Sequence, residues 1–524
     1  MGGQMQKAEY GAVEAFRRHS SRTGGSARVR WSRHEWCTVI GLSLLVGLGP
    51  WMLGSMRLLP QLILFGISLL TFIQLFIPSN PRDEAPRMHM RSLLRFPLFW
   101  VGGLLLVYII IQGLNPAYRV EYKDVDQWQL TSWAWSMVPV NHIDWLPSGV
   151  SAPYEHGSAW RALVNWAAVI MGIWSAWVGL KRRSCVEALF WVICINGSVI
   201  ALVGVLQQMT GSDTLLWTFA SSNKNFFGPF HYRNHAGAYL YPILTLCLGM
   251  FFYYSRRARR RMQRSHPGIV FLLLGLLIVV AQTMNGSRGA FLMSVGALLV
   301  FILLFFVRIL SSGSFRSMIA GIVVLLLVLA TGGFAVVRFG DLPAIEKRFE
   351  SLRLSDRSGL TKDASANMRV LMSQATAEMY LDRPVWGWGA GSYRWAIRHY
   401  QLMDKYRLLW VSHNLDPENG LPYARIIIHG HNDILEFAAE LGAVGGGLLV
   451  LIILFWGGAV LYYWRALECE HLMILSGAGL ALIHATFEFN LSNPSILLLV
   501  STVTAATVTW MRLHPRFQPK EDAA

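Results

Sequence analysis

Long apolar runs separated by short polar stretches recur along the whole chain. They lie near 37–54, 58–77, 96–113, 160–180, 185–209, 234–254, 268–284, 290–309, 318–337, 442–464, 471–488 and 495–511. Each approaches or matches the about 17–25 residues that cross a ~30 Å hydrocarbon core. In lipid every backbone polar group must be satisfied within its own segment, so each run predicts a helix, Gly and Pro included. The expected fold class is all-α: a polytopic membrane protein of about 12 transmembrane helices. Trp and Tyr gather at the flanks, as at Trp36, Trp51, Trp100, Trp160, Tyr253, Tyr254, Trp464 and Trp510, which predicts an interfacial aromatic belt. Two longer stretches break the rhythm, 114–159 and 338–432. Within the second, 361–380 has the spacing of an amphipathic helix, and 382–400 reads as a Gly-rich turn followed by another helix.

Composition excludes a soluble alternative. Hydrophobic residues make up 54% of the chain and charged ones 15%, against about 25% charged in ordinary soluble proteins. The net charge of +16 is unevenly placed. Arg17, Arg18, Arg22, Arg28, Arg30 and Arg33 precede the first run. Arg82, Arg87, Arg91 and Arg95, then Lys181 to Arg183, then the cluster from Arg256 to Arg264 follow in alternate loops. The intervening short loops carry far fewer, so the basic side is expected to be cytoplasmic with both termini inside. The basic excess then means topology and contact with anionic membrane lipids, with no nucleic acid implied. The expected organisation is a basic cytoplasmic segment 1–36, helices over 37–337, a large extracytoplasmic loop 338–432, helices over 433–511, and a cytoplasmic tail 512–524. No small-residue cleavage site follows the first apolar run, so that helix is expected to stay. The five cysteines show no C-x-x-C spacing, and neither a metal site nor an external disulfide is expected.

The ionisable residues outside the basic loops carry the chemistry, because such groups near a membrane are costly. His431 lies in RIIIHGHNDILEFAAELGAVGG (425–446), where Asn432 or Asp433 caps a short helix running to Glu440. The positive end of that helix disfavours imidazolium, which suits a general base. Spacing alone equally fits a histidine that merely caps a helix at the interface. His429 and His431 at i, i+2 lack a third ligand, so metal is not expected. Arg233 opens the sixth run in FHYRNHAGAYL, and Arg288 lies in the short turn NGSRGAFL. Arg offers a planar fork suited to phosphate oxygens, although snorkelling to headgroups would also place it there. Glu488, in FEFNLSNP (487–494), could pair with an Arg or orient a His, or simply belong to a capping turn ahead of Pro494.

Together these segments resemble the O-antigen ligase and O-antigen polymerase superfamily, with its related exopolysaccharide polymerases and protein O-oligosaccharyltransferases. HNDILEFAAELG (431–442) is similar to the family's His-Asn motif and RNHAGAYL (233–240) to its Arg-Asn-His motif. GSRGAFL (286–292), RPVWGWGAGSYRWAIRHY (383–400) and Phe487 to Pro494 follow in kind. The resemblance spans about 230–500; the first 220 residues match only in hydropathy. It implies a GT-C-like membrane glycosyltransferase without cofactor or required metal. The implied donor is a glycan on undecaprenyl pyrophosphate, and the acceptor hydroxyl belongs to a glycan, a lipid A core or a protein. His431 is then the base or acceptor-orienting residue. Arg233 and Arg288 bind pyrophosphate, Arg369 in NMRVL matches the family's loop Arg, and Asn432, Glu440 and Glu488 support. His429, outside the motif, is expected to matter less. The rival class is a transporter or flippase for a lipid-linked or anionic substrate. It predicts broken helices or midplane charges, whereas the candidate groups here cluster at helix ends.

Overall fold

The computed structural model describes residues 30–122, 135–310 except 222 and 264, 364–415 except 402 and 410, and 422–517 except 425. The helix expected at 318–337, most of the N-terminal segment, the first part of the long loop and the end of the tail lie outside the described residues. Every other predicted span is a helix.

The first, α1 (Arg33–Trp51), starts at a capping box. Ser32 accepts from the Glu35 amide, and Glu35 accepts from the Ser32 amide at 2.8 Å. Next come α2 (Leu58–Ile73), the short α3 (Ala85–Leu94) and α4 (Pro97–Leu114). A small sheet of β1 (Pro116–Tyr122), β2 (Trp135–Pro139) and β3 (Gly149–Ser151) follows, in the order β2-β1-β3, with β2 antiparallel and β3 parallel to β1. The sequence announces an excursion here but not strands, because each is too short to show a period. The chain continues through α5 (Ala159–Gly179), α6 (Arg183–Met209), α7 (Arg233–Arg260), α8 (Gly268–Asn285) and α9 (Arg288–Leu310). Helices α10 (Ala364–Asp382) and α11 (Tyr393–Gln401) fall where the loop's periodicity puts them. A two-stranded ladder, β4 (Val411–Leu415) with β5 (Pro422–Ala424), leads to α12 (Asp433–Tyr462), α13 (Cys469–His484) and α14 (Pro494–Arg512).

Nine helices among the described residues are long and apolar enough to cross a membrane, and the protein is a multi-pass membrane protein. Their burial separates core from rim. In α7 94% of the apolar window is buried, so it is the central helix, whereas 6% is buried in α12, whose sides are left for lipid. Basic helix ends meet on one face. Arg182 donates to the Arg30 carbonyl at 2.8 Å, Arg257 pairs with Glu187 at 3.3 Å, and Arg256 pairs with Glu468 and Glu470. Two aromatics assigned to the belt belong to the core instead. Trp510 is 2% exposed, its ring set against Phe190 and His471, and Tyr254 is buried beside Glu187. Trp100 and Trp464 remain exposed, as the belt requires.

On the opposite face α12 is broken at Gly442, where φ is 63° and ψ −171°, a conformation that suits only glycine. The break strands backbone groups, and the loop between α10 and α11 satisfies them. Trp388 N donates to the Ala439 carbonyl at 2.9 Å and Gly389 N to that of Glu440 at 2.8 Å. In return Ala443 N donates to Pro384 at 2.7 Å, and the Tyr108 hydroxyl of α4 donates to the Leu441 carbonyl at 2.7 Å. Gly389 also lies so close to β3 that a Cβ would stand 2.4 Å from the Gly149 Cα. That contact, with its positive φ, is why the loop carries glycine there.

Candidate active site

Helix α12 begins at the site. Asn432 is its N-cap and accepts from the Leu435 amide at 3.1 Å. One residue earlier, His431 adopts the left-handed backbone, φ 53°. That is costly for a residue with a Cβ, and such strain persists only where surrounding contacts fix it. Here the contact is the imidazole, whose Nδ1 donates to Glu488 Oε1 at 2.6 Å.

Glu488 is the hub. Its side chain is 1% exposed. Arg369 of α10 donates to Oε2 at 2.9 Å, Asn234 of α7 donates to the same oxygen, and the Tyr232 hydroxyl lies at 3.5 Å. Burial alone would raise the carboxyl's pKa, but the His431 hydrogen bond and the Arg369 charge outweigh it and hold it at about 2. An ionised carboxylate only accepts, so Nδ1 of His431 carries the proton of that bond. Nε2 is then the nitrogen left to accept one.

Buried polar groups hold the turn that carries Glu488. Asp433 accepts from the Leu491 amide at 2.6 Å and the Ser492 amide at 3.2 Å. His235 donates to the Phe489 carbonyl at 3.1 Å, and Asn493 caps α14 by accepting from Ser495 at 3.0 Å. Phe489 sits at the middle. Tyr232 and His429 lie nearly parallel to its ring, tilted by 13° and 12°, and His431 and His235 meet it edge-on. His429 Nδ1 donates to Glu436 Oε1 at 2.8 Å.

The arginines gather at the same end. Arg233 and Arg288 are the first residues of α7 and α9, both half-buried. Asn285 donates to the Arg233 carbonyl at 3.0 Å, tying the start of α7 to the turn before α9. Gly289 packs against His484 and Phe487, next to Glu488. A cavity of about 510 Å³ is lined by His431, Phe489, Tyr232, His235 and Met372 among others. A second, of about 350 Å³, is lined by Asn165, Trp166, Arg161, Arg394, Glu436 and Glu440 among others. Both include Met56, Ile428 and His429. Thus His431, Asn432, Glu488 and Arg369 come together, with Arg233 and Arg288 on adjoining helix starts, outside the described lining of the larger cavity. Glu440 stands apart, accepting from the Tyr393 amide at 2.9 Å and holding the glycine loop.

Residues 270–451 match the model of the O-antigen ligase family. The chain carries an O-antigen ligase domain. The match supports a glycosyltransferase of the O-antigen ligase and polymerase type, a family whose substrates are a lipid-linked glycan and an acceptor. A search of curated proteins finds no match to the chain. The matched stretch holds Arg288, Arg369, His431 and Glu440, whereas Arg233, Asn234 and Glu488 lie outside it. The O-antigen ligase domain therefore shares its candidate site with the start of α7 and the turn between α13 and α14. Sequence reasoning missed Asn234, Glu436 and the wiring of His429. Asn234 and Glu436 stood inside quoted motifs, and only the missing third dimension hid their partners.

Proposed function

We propose that the chain is an inverting, metal-independent glycosyltransferase. It moves a glycan from an undecaprenyl-pyrophosphate donor onto an acceptor hydroxyl at the outer face of the bacterial inner membrane. In this reading the basic face and both termini are cytoplasmic, and 338–432 with its neighbours forms the periplasmic side. The observation that carries it is the chain Arg369–Glu488–His431, which fixes an imidazole on a cavity wall with Nε2 as its free acceptor. The acceptor oxygen attacks the anomeric carbon and its proton passes to His431 Nε2. The bond from that carbon to the pyrophosphate oxygen breaks, and the electron pair leaves with the pyrophosphate. Glu488 stabilises the imidazolium that forms, as a buried carboxylate beside a catalytic histidine does. Arg233 and Arg288 offer preplaced charge to the leaving pyrophosphate, and such stabilisation needs little reorganisation. Arg369 holds Glu488 and completes the cationic rim.

Purified protein in nanodiscs, given an undecaprenyl-pyrophosphate-linked glycan and an envelope acceptor fraction, tests the reading. The expected products are an extended acceptor with inverted linkage and free undecaprenyl pyrophosphate. Movement of the intact donor across a vesicle membrane with no transfer would overturn it in favour of a flippase. A glycan gel of a deletion strain separates the subclasses: missing attachment means ligase, single-repeat products mean polymerase.

A further inference from the structure

The wiring of His429 repeats that of His431. Each Nδ1 donates to a glutamate whose side chain is at most 4% exposed, and the two imidazoles are 20% and 21% exposed. Each ring centroid lies 4.7 Å from that of Phe489. The Gly430 amide takes the second oxygen of Glu436 at 2.7 Å, so this pair too is fixed from both sides. Among the described residues one histidine stands at the junction. His429 lines both cavities, while His431 lines the larger one.

The smaller cavity has the chemistry of a sugar site. Asn165 presents an amide and Trp166 an indole, both half-buried, while Glu436 and Glu440 are held by the His429 ring and by the Gly430 and Tyr393 amides. The amide both donates to and accepts from sugar hydroxyls, and an aromatic face covers the apolar side of a pyranose. The arginines on its wall are committed to structure: Arg161 donates to Gln61 at 2.8 Å and to the Met56 carbonyl at 2.7 Å, and Arg394 to the His156 carbonyl at 3.0 Å.

We propose that the smaller cavity binds the acceptor, that this acceptor is a glycan rather than a peptide hydroxyl, and that His429 Nε2 hydrogen-bonds it at the junction. The attacking oxygen is thereby placed at His431. No proton changes hands at His429, which binds and positions while His431 takes the acceptor proton. The inference rests on the glycosyl-transfer reading above. It also reverses the expectation that His429 matters less because it stands outside the motif.

The test uses the full chain in nanodiscs with two probes. Undecaprenyl pyrophosphate reports the donor site, and an oligosaccharide cut from the host envelope polysaccharide serves as acceptor. His429→Ala should raise the KM for the oligosaccharide about tenfold, the worth of one hydrogen bond to a fixed polar group, with kcat and undecaprenyl pyrophosphate binding unchanged. His429→Gln, which keeps a donor near Nε2, should recover most of the loss. Asn165→Ala, on α5, should raise the same KM without touching Phe489. Equal weakening of undecaprenyl pyrophosphate binding would overturn the assignment, because His429 would then serve the donor. So would an unchanged acceptor KM in both His429→Ala and Asn165→Ala, or transfer to a serine peptide but not to the oligosaccharide. A wild-type chain that transfers nothing from the donor overturns the glycosyltransferase reading itself, and the positioning role with it.

Discussion

Around Glu488 the neighbours are donors and a cation: Arg369, Asn234 and the Tyr232 hydroxyl. Around Glu436 they are acids, with Asp433 and Glu440 close enough to act on His429. The two histidines, two residues apart and bonded to glutamate in the same way, therefore face opposite electrostatics. Glu488 has its counter-charge in Arg369, so its bond to His431 fixes orientation and tautomer. Glu436 has no such partner among the described residues, and its histidine supplies the balance. Burial works against a charged His429 ring, but Glu436 above all, with Asp433 and Glu440, raises its pKa. One sequence element, HGH, thus yields a group suited to accept a proton and a group suited to donate a hydrogen bond.

The strongest way to break this contrast is to remove each ring in turn. His431→Ala should cut turnover by about 10²-fold or more while donor lipid still binds. His429→Ala should leave turnover near wild type at saturating acceptor. Equal losses in kcat would mean that the two rings act as one packing unit.

A smaller loss, about ten- to hundredfold, is expected for Glu488→Gln, the cost of replacing a hydrogen bond to a charged group. The amide also leaves Arg369 without its carboxylate. Steady-state transfer assays measure it, and Glu436→Gln is expected to raise acceptor KM instead. Arg233→Ala and Arg288→Ala should also lose most activity, with Lys rescuing only in part, because an ammonium cannot reproduce the guanidinium fork. Normal transfer by Arg288→Ala at matched expression would remove it from the pyrophosphate site.

The least effect is on thermal stability, and its sign differs between the pairs. The carboxyl of Glu488 is held at about 2, below its ordinary 4.5. Its contribution is therefore complete above about 4.5 and is lost as pH falls toward 2. The pKa of His429 is raised above 6.5, so its contribution is complete below 6.5 and is lost as pH rises beyond it. Melting curves should show Glu488→Gln flattening the acid limb and His429→Gln the neutral-to-alkaline limb. The reverse assignment would show that the electrostatic contrast is misplaced.

The bundle was legible because lipid leaves a chain few options: apolar length and helix are nearly the same statement. The cap at Asn432, the break at Gly442 and the pairing of Glu488 with both an Arg and a His were also within reach of spacing and residue type. The sheet at 116–151 was not, since its strands are short and pair across gaps that no local pattern records. His429 escaped for a similar reason. Its partner lies seven residues on, across the cap, a distance set by the turn at Gly430 and His431 rather than by any repeat. Trp510 and Tyr254 misled because an aromatic near a helix end fits an interface and a helix-packing seam equally well until neighbours are known.

The splice at Gly442 bears on biogenesis. Residues 384–389 emerge from the ribosome before α12, and they supply the partners for its interrupted backbone. Without them the Ala443 amide and the carbonyls of Ala439 and Glu440 would enter the bilayer edge bare, at a cost of several kcal/mol each. Helix α12 therefore cannot be released sideways from the insertion machinery as a finished rod. The preceding segment must fold first, and the helix completes itself by docking onto it. A lesion at Gly389 would accordingly surface as a late-stage assembly failure, a chain withdrawn by membrane proteases before it ever meets substrate.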